Sequence, residues 1–348
     1  MMDFKIIKQL PKVLLHDHLD GGLRAETIIQ LAEECKYTEL PANNSLHLKK
    51  WFYNNSNSGS LSRYLDGFKH TIAVMQTKDA LERVAFEMIE DMYNDNVVYV
   101  ETRFSPLLHT KNGLSAEECI LSVLKGLRKG REIFNVGYGL ILCGIRNIPE
   151  TVETTAELAI KFKNCGVVGF DLAGQEAGNL PKKYKKVFKK VKQTNCNITI
   201  HAGEVTSQKS IKQAVHLCNT DRIGHGTKLT KLGTELDDFS MYVLNKRIPI
   251  EVCLSSNVHT GSIDKIVNHP FNLLYKEGFC VTLNTDNRLM SDTTMSNEFI
   301  IANKYFNLDI LDFEQITINA MEASFLNYKE KLYYINNIIK PMYRSYYD

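Results

Sequence analysis

Eight short runs rich in β-branched and aliphatic residues are spread along the chain, and most of the segments between them carry helical spacing. They are KVLLHDHLD (12–20), VVYVETRFSP (97–106), VGYGLILCGI (136–145), VVGFDLAG (167–174), ITIHAGE (198–204), RIGHG (222–226), IPIEVCLSSN (248–257) and CVTLNTD (280–286). Runs that read as apolar on both faces suit parallel strands covered by helices. The closure that uses eight such units is an α/β fold, the (β/α)8 TIM barrel, and a chain of 348 residues fits it as a single domain, 1–348. Glycines and polar residues gather at the C-terminal end of nearly every run, where this architecture keeps its active site. An open doubly wound sheet is the alternative. It calls for a GxGxxG turn after the first strand, and HLDGGLR does not supply one.

Two stretches break the alternation. Residues 25–95 are too long for one crossover and hold a helix over 25–36, a polar stretch WFYNNSNSGSLSRYLDGF and two further helical patterns. A helical insertion there, after strand one, is placed over the barrel mouth, as a substrate lid or as a surface excursion. The lysine-rich run PKKYKKVFKKVK (181–192) spaces Tyr184, Val187, Phe188 and Val191 as one helix face. That predicts an outer barrel helix with a solvated side.

With a formal net charge of +2, nothing in the electrostatics favours nucleic acid or a membrane surface. The eight cysteines stand singly, without a CxxC pair, as packed reduced thiols do. No apolar signal-like stretch precedes Pro11, and no run approaches the roughly 18 apolar residues of a membrane span. A cytoplasmic protein is expected.

Residues two apart on a strand share a side, so His16 and His18 project together from the end of the first run. Such a pair alone fits satisfied core histidines as well as a metal half-site. The fifth run adds His201 with Glu204 just beyond it, and the eighth adds Asp286. In a closed barrel strand eight adjoins strand one and strand five faces them, so three imidazoles and a carboxylate could meet, a set that suits catalytic Zn2+. His225 stands between two glycines in RIGHG, which would let its ring approach a ligand closely or simply form a tight turn. Gly174 ends the fourth run in a small-residue turn where a ligand could lie against the backbone.

The stretches LLHDHLDG, YVETRFSP, GFDLAGQE, HAGE, RIGHG, CLSSN and LNTDN, in this order, closely resemble the adenosine deaminase family of the amidohydrolase superfamily, and NAMEASFL near the C-terminus fits too. The likeness runs from about residue 10 to 330. It implies one Zn2+ per chain held by His16, His18, His201 and Asp286. It further implies Glu204 as proton donor, with His225 and Asp286 assisting the water that the metal activates. His18, Asp20 and Gly174 would contact the nucleoside. The implied reaction is hydrolytic deamination of adenosine and 2′-deoxyadenosine to inosine and 2′-deoxyinosine with release of ammonia, a step of purine salvage. A purine nucleoside is thus the expected small-molecule partner. A related aminopurine deaminase acting on adenine, methylthioadenosine or another 5′-modified adenosine is the runner-up.

One position departs from the commonest family pattern. Where many members follow the metal aspartate with a second aspartate that meets purine nitrogen 7, this chain has Asn287, then Arg288. Nitrogen 7 is an acceptor, and an amide always carries N–H donors, so Asn287 can keep the contact. Among rivals, a dinuclear amidohydrolase commonly needs a carboxylated lysine after strand four, and FDLAG has none. A cytidine-deaminase-type zinc site needs HxE and PCxxC, and both are missing. A non-catalytic purine-binding protein would not need every ligand and proton donor in place. The chain is short for the monophosphate deaminase and has no evident phosphate-cradling loop.

Overall fold

The protein was analysed as a computed structural model, which describes residues 2–231, 233 and 235–347. Eight parallel strands follow one another around a barrel in chain order. They are β1 (Lys12–His18), β2 (Val97–Phe104), β3 (Gly137–Ile145), β4 (Val167–Ala173), β5 (Asn197–Ala202), β6 (Arg222–His225), β7 (Ile250–Val252) and β8 (Val281–Leu283). All eight predicted runs are strands, and the (β/α)8 barrel is the observed fold. The ring closes between β8 and β1 by a single parallel bridge, Asp17 to Asp286. There the Asp286 N–H donates to the His16 carbonyl (2.9 Å) and the His18 N–H to the Asp286 carbonyl (3.1 Å). The Asn284 side chain completes the seam by accepting from the N–H groups of Leu15 and His16. The closing bridge therefore fixes three of the expected site residues against one another.

Alternation along the strands sorts side chains into two sets. Phe104, Leu142, Phe170, Ile198 and Ile200 are buried in the apolar core. The barrel interior differs from the apolar reading of the runs. It holds Glu101, Arg103, Asp171, Thr199, Arg222 and Glu251, all 0 or 1% exposed. They satisfy one another across strands. Arg222 bridges Glu101 and Glu251 at 2.6 Å each, and Arg103 bridges Asp171 (3.0 Å) and Glu251 (3.1 Å). Buried charge at this density is tolerable only because each group is paired and hydrogen-bonded.

The seventh run ends sooner than its sequence suggests. Only Ile250–Val252 is strand, and LSSNVH turns into a short helix, Leu254–His259. The lysine-rich segment divides into a 3-10 turn, Pro181–Tyr184, and a helix, Lys185–Gln193, with Tyr184, Phe188 and Val191 buried as the periodicity requires. Between β1 and β2 run five helices: Ala25–Glu34, Ser45–Ser56, Leu61–Asp66, Phe68–Val74 and Lys78–Asn94. The polar stretch is thus largely helical, capped at its second start by Ser60. Three contacts tie it to the loops after β7 and β8. Gly59 N–H meets the His259 carbonyl, Tyr64 Oη lies 2.9 Å from Ser291 Oγ, and Gly67 packs on Met290.

Six of the eight cysteines are buried, and all eight are free thiols. Among the described residues, no helix is long and apolar enough to cross a membrane.

Candidate active site at the C-terminal mouth of the barrel

His16 and His18 leave the end of β1 on one side, as their spacing predicts, and meet His201 from β5, His225 from β6 and Asp286 after β8. His18 Nε2 lies 3.2 Å from His201 Nε2 and 3.4 Å from Asp286 Oδ1, and His16 Nε2 lies 3.5 Å from that same oxygen. Donor atoms about 2.0–2.1 Å from one ion at tetrahedral angles sit about 3.3 Å apart. The three measured separations have that size. His16 Nε2 is moreover a buried nitrogen without a hydrogen-bond partner. The donor set and its spacing therefore fit a divalent cation. Donor atoms of His16, His201, His225 and Asp286 also lie within 4.8 Å of one another, so five side chains crowd the position.

The other nitrogens of two histidines are fixed from behind. His16 Nδ1 is 2.7 Å from Glu251 Oε2, and His201 Nδ1 is 3.0 Å from Asp171 Oδ2. A carboxylate behind Nδ1 holds the proton there and leaves the Nε2 lone pair free for a metal. Burial opposes ionisation of Glu251, but the guanidiniums of Arg103 and Arg222 and the His16 hydrogen bond outweigh it and hold that carboxyl well below its ordinary value. Asp171 is held down in the same way, by His201 and Arg103 against burial. Asp171→Asn is expected to weaken metal retention about 10- to 100-fold, the usual cost of a lost supporting carboxylate, measured as metal content after titration with a chelator. Unchanged retention would show that Asp171 does not orient His201.

Asp286 is held on both oxygens. Its Oδ2 accepts from Ser256 Oγ at 2.6 Å and its Oδ1 from Asn287 Nδ2 at 2.8 Å. Asp286 and His225 both adopt left-handed backbone, with φ of 58° and 62°. Non-glycine residues tolerate this rarely, and such strain concentrates at functional sites. The glycine before His225 is required by space: a Cβ on Gly224 would stand 3.3 Å from His16 Cε1 and 3.1 Å from the His201 Cα.

Glu204 lies beyond β5, buried, with Oε2 3.8 Å from His225 Nε2. Burial pushes its carboxyl well above the ordinary value, helped by the charges of Asp286 and Glu176. Glu176 braces the same loop by accepting from the N–H groups of Gly203 (2.7 Å), Val205 (3.0 Å) and Thr206 (3.1 Å). A buried carboxyl shifted toward its protonated form is thus presented a few ångströms from the cation site.

A small, tight cavity opens at this point, lined by His18, Gly174, His201, Glu204, His225, Asp286 and Asn287 from the barrel. Leu61, Tyr64, Leu65 and Phe68 of the insertion line its other side. Gly174 has φ of 89°, and a Cβ there would meet Asn147 Oδ1 at 2.6 Å, so the turn after β4 is built for glycine. Asp20 is also buried, 3.5 Å from His109 Nε2, with Oδ1 unpartnered, but it does not line the cavity. Glu251, Asp171, Ser256, Glu176 and the apolar residues 61–68 are absent from the strand-end pattern. The CLSSN and GFDLAGQE stretches held the signal for three of them.

A parallel barrel that gathers imidazoles, a carboxylate and a second, buried acid at the C-terminal ends of its strands, in a chain matched by the adenosine deaminase family model, defines a hydrolytic enzyme of the deaminase class. The chain belongs to the adenosine deaminase family, whose model matches residues 11–341. The adenosine deaminase of Mycobacterium ulcerans is 44% identical over 350 residues, covering 97% of this chain and 96% of that protein. Among solved structures, an N6-mAMP deaminase from Arabidopsis superposes with a TM-score of 0.83 at 27% identity, over 98% of this chain and 99% of that one. The adenine deaminase of Arthrobacter aurescens shares the fold, with a TM-score of 0.85 at 23% identity, over 97% of this chain and 99% of that one.

Proposed function

We propose that this protein hydrolyses adenosine and 2′-deoxyadenosine to inosine and 2′-deoxyinosine plus ammonia. The observation that carries the reading is a buried Glu204, its carboxyl pushed up in pKa, facing a cavity lined by His18, His201 and Asp286, with His16 converging on Asp286 from below. Full-length identity of 44% to a protein named adenosine deaminase supports the substrate. His16, His18, His201 and Asp286 would hold one Zn2+. When bound, the ion lowers the pKa of water toward 7 and so supplies the nucleophile.

The chain's own residues do the rest. Glu204 enters protonated and gives its proton to purine nitrogen 1 as carbon 6 becomes tetrahedral. Water oxygen ends on carbon 6; one of its protons leaves in ammonia and the other restores Glu204, whose own proton stays on nitrogen 1. His225 and Asp286 flank the attacking oxygen. Gly174 lets the purine lie against the backbone, His18 and Asp20 serve the ribose, and residues 61–68 act as the lid of a helical insertion spanning 25–95 in a single 1–348 domain. Free thiols fit a cytoplasmic enzyme.

Asn287 is given the purine contact. One Nδ2 hydrogen goes to Asp286, and the second would turn to nitrogen 7 when a purine is bound. Asn287→Ala is expected to lower kcat/KM for adenosine about 10- to 100-fold, by loss of one buried hydrogen bond and of support for Asp286. An unchanged kcat/KM and purine preference would remove the assignment.

The deciding experiment is a panel of adenosine, 2′-deoxyadenosine, adenine, methylthioadenosine and adenosine monophosphate on metal-analysed protein, followed by ultraviolet absorbance with and without a chelator. Adenosine and deoxyadenosine should turn over fastest, and chelation should stop both. Faster turnover of adenine or methylthioadenosine would overturn the substrate assignment.

A further inference from the structure

Behind His225 runs a chain of three hydrogen bonds that no metal or substrate role requires. The backbone N–H of Phe271 donates to His269 Nδ1 at 3.0 Å, His269 Nε2 lies 3.1 Å from Asn257 Oδ1, and Asn257 Nδ2 lies 3.0 Å from His225 Nδ1. Asn257 is 0% exposed and His269 1%, so water does not compete.

The direction of each bond is forced. A main-chain amide can only donate, so His269 Nδ1 carries a lone pair. Burial, then the charge of Lys228, lowers the His269 pKa to about 3, so the ring is neutral and its hydrogen sits on Nε2. That N–H must meet the amide oxygen of Asn257. Exchanging the amide O and N would set two donors face to face. The Asn257 nitrogen has no lone pair to offer, so it donates to His225 Nδ1. Neutral His225 then has its one hydrogen on Nε2, on the side 3.8 Å from Glu204.

We infer that Asn257 and His269 are positioning residues that lock His225 in the Nε2–H tautomer, so that His225 donates a hydrogen bond to the attacking oxygen and takes no proton from it. This rests on the reading of His225 as the group facing the reaction centre. His16 and His201 are built the opposite way, with carboxylates behind Nδ1. An Nε2–H is not a metal ligand, so the same relay keeps His225 out of the ligand set although its ring lies 4.8 Å from that of His16.

The test is a long-range 1H–15N correlation spectrum of histidine-labelled, metal-loaded protein, with His225 assigned by loss of its signals in His225→Asn. The expected result is a pyridine-type Nδ1 and a pyrrole-type Nε2. Asn257→Asp places an acceptor at both ends, so it should transfer the hydrogen to Nδ1. His269→Gln keeps a donor at the Nε2 position and should leave the tautomer unchanged. A wild-type His225 protonated on Nδ1 would overturn the inference, and so would an Asn257→Asp spectrum identical to wild type. If Asn257→Asp does not fold, the wild-type spectrum and His269→Gln decide. Failure of the substrate panel would overturn the proposed function while leaving these spectra intact, so the two failures are distinguishable.

Discussion

Asp286→Ala should lose its metal and lower kcat/KM for adenosine about ten-thousandfold, the larger of two effects expected at this site. Asp286 is the anion on which His16 and His18 converge, at 3.5 and 3.4 Å. Its pKa is depressed although burial works the other way, because the His16 hydrogen bond and the neighbouring imidazoles of His225, His16 and His18 favour the ionised form. Removing it takes the only anionic group out of the proposed ligand set and deprives Ser256 and Asn287 of their acceptor. Metal catalysis contributes several kcal/mol of transition-state stabilisation, and about 1.4 kcal/mol corresponds to a factor of ten, which sets the magnitude. Metal content per chain and steady-state kinetics on the purified variant check it. A variant that still holds one ion per chain and keeps a tenth of the activity would remove Asp286 from the ligand set.

Glu204→Gln keeps the shape and hydrogen-bonding capacity of the side chain but cannot release the proton. A positioned general acid contributes about 100- to 10,000-fold, so kcat should fall by about a thousandfold with KM little changed. The loop is anchored independently of the carboxyl, because Thr227 Oγ donates to the Glu204 carbonyl at 3.0 Å and Glu176 holds the neighbouring amides. The pH dependence has a definite sign. Burial raises the Glu204 pKa, so the reactive protonated form persists as pH rises past the ordinary carboxyl range. Activity should hold until pH climbs through the raised value and then decline. In the Gln variant that alkaline decline should vanish from the residual rate. A wild-type decline carried over intact into Glu204→Gln would assign the titration to another group.

Much of this was legible in the sequence because strand geometry is local. Alternation with period two places His16 and His18 on one side wherever β1 goes, and the terminal position of His201, His225 and Asp286 follows from where each apolar run stops. Glycine and polar residues at run ends mark the mouth for the same reason. The charged barrel interior was not legible. Glu101, Arg103, Asp171, Arg222 and Glu251 come from four strands, and a charged residue inside an apolar run does not reveal its partner on another strand. Likewise, CLSSN continues the seventh run as text, yet it leaves the strand as a helix that delivers Ser256 to Asp286 and Asn257 to His225.

By itself, then, the order of runs and helices determined a barrel, and the run ends named the residues that could meet at its mouth. Only the tertiary structure decided which nitrogen of each histidine faces the cavity, which carboxyl is pushed up in pKa, and that Leu61, Tyr64, Leu65 and Phe68 line the site. The division has a physical cause. Strand periodicity is set by covalent geometry over two residues, whereas a tautomer or a shifted pKa depends on donors, acceptors and charges brought together from distant parts of the chain.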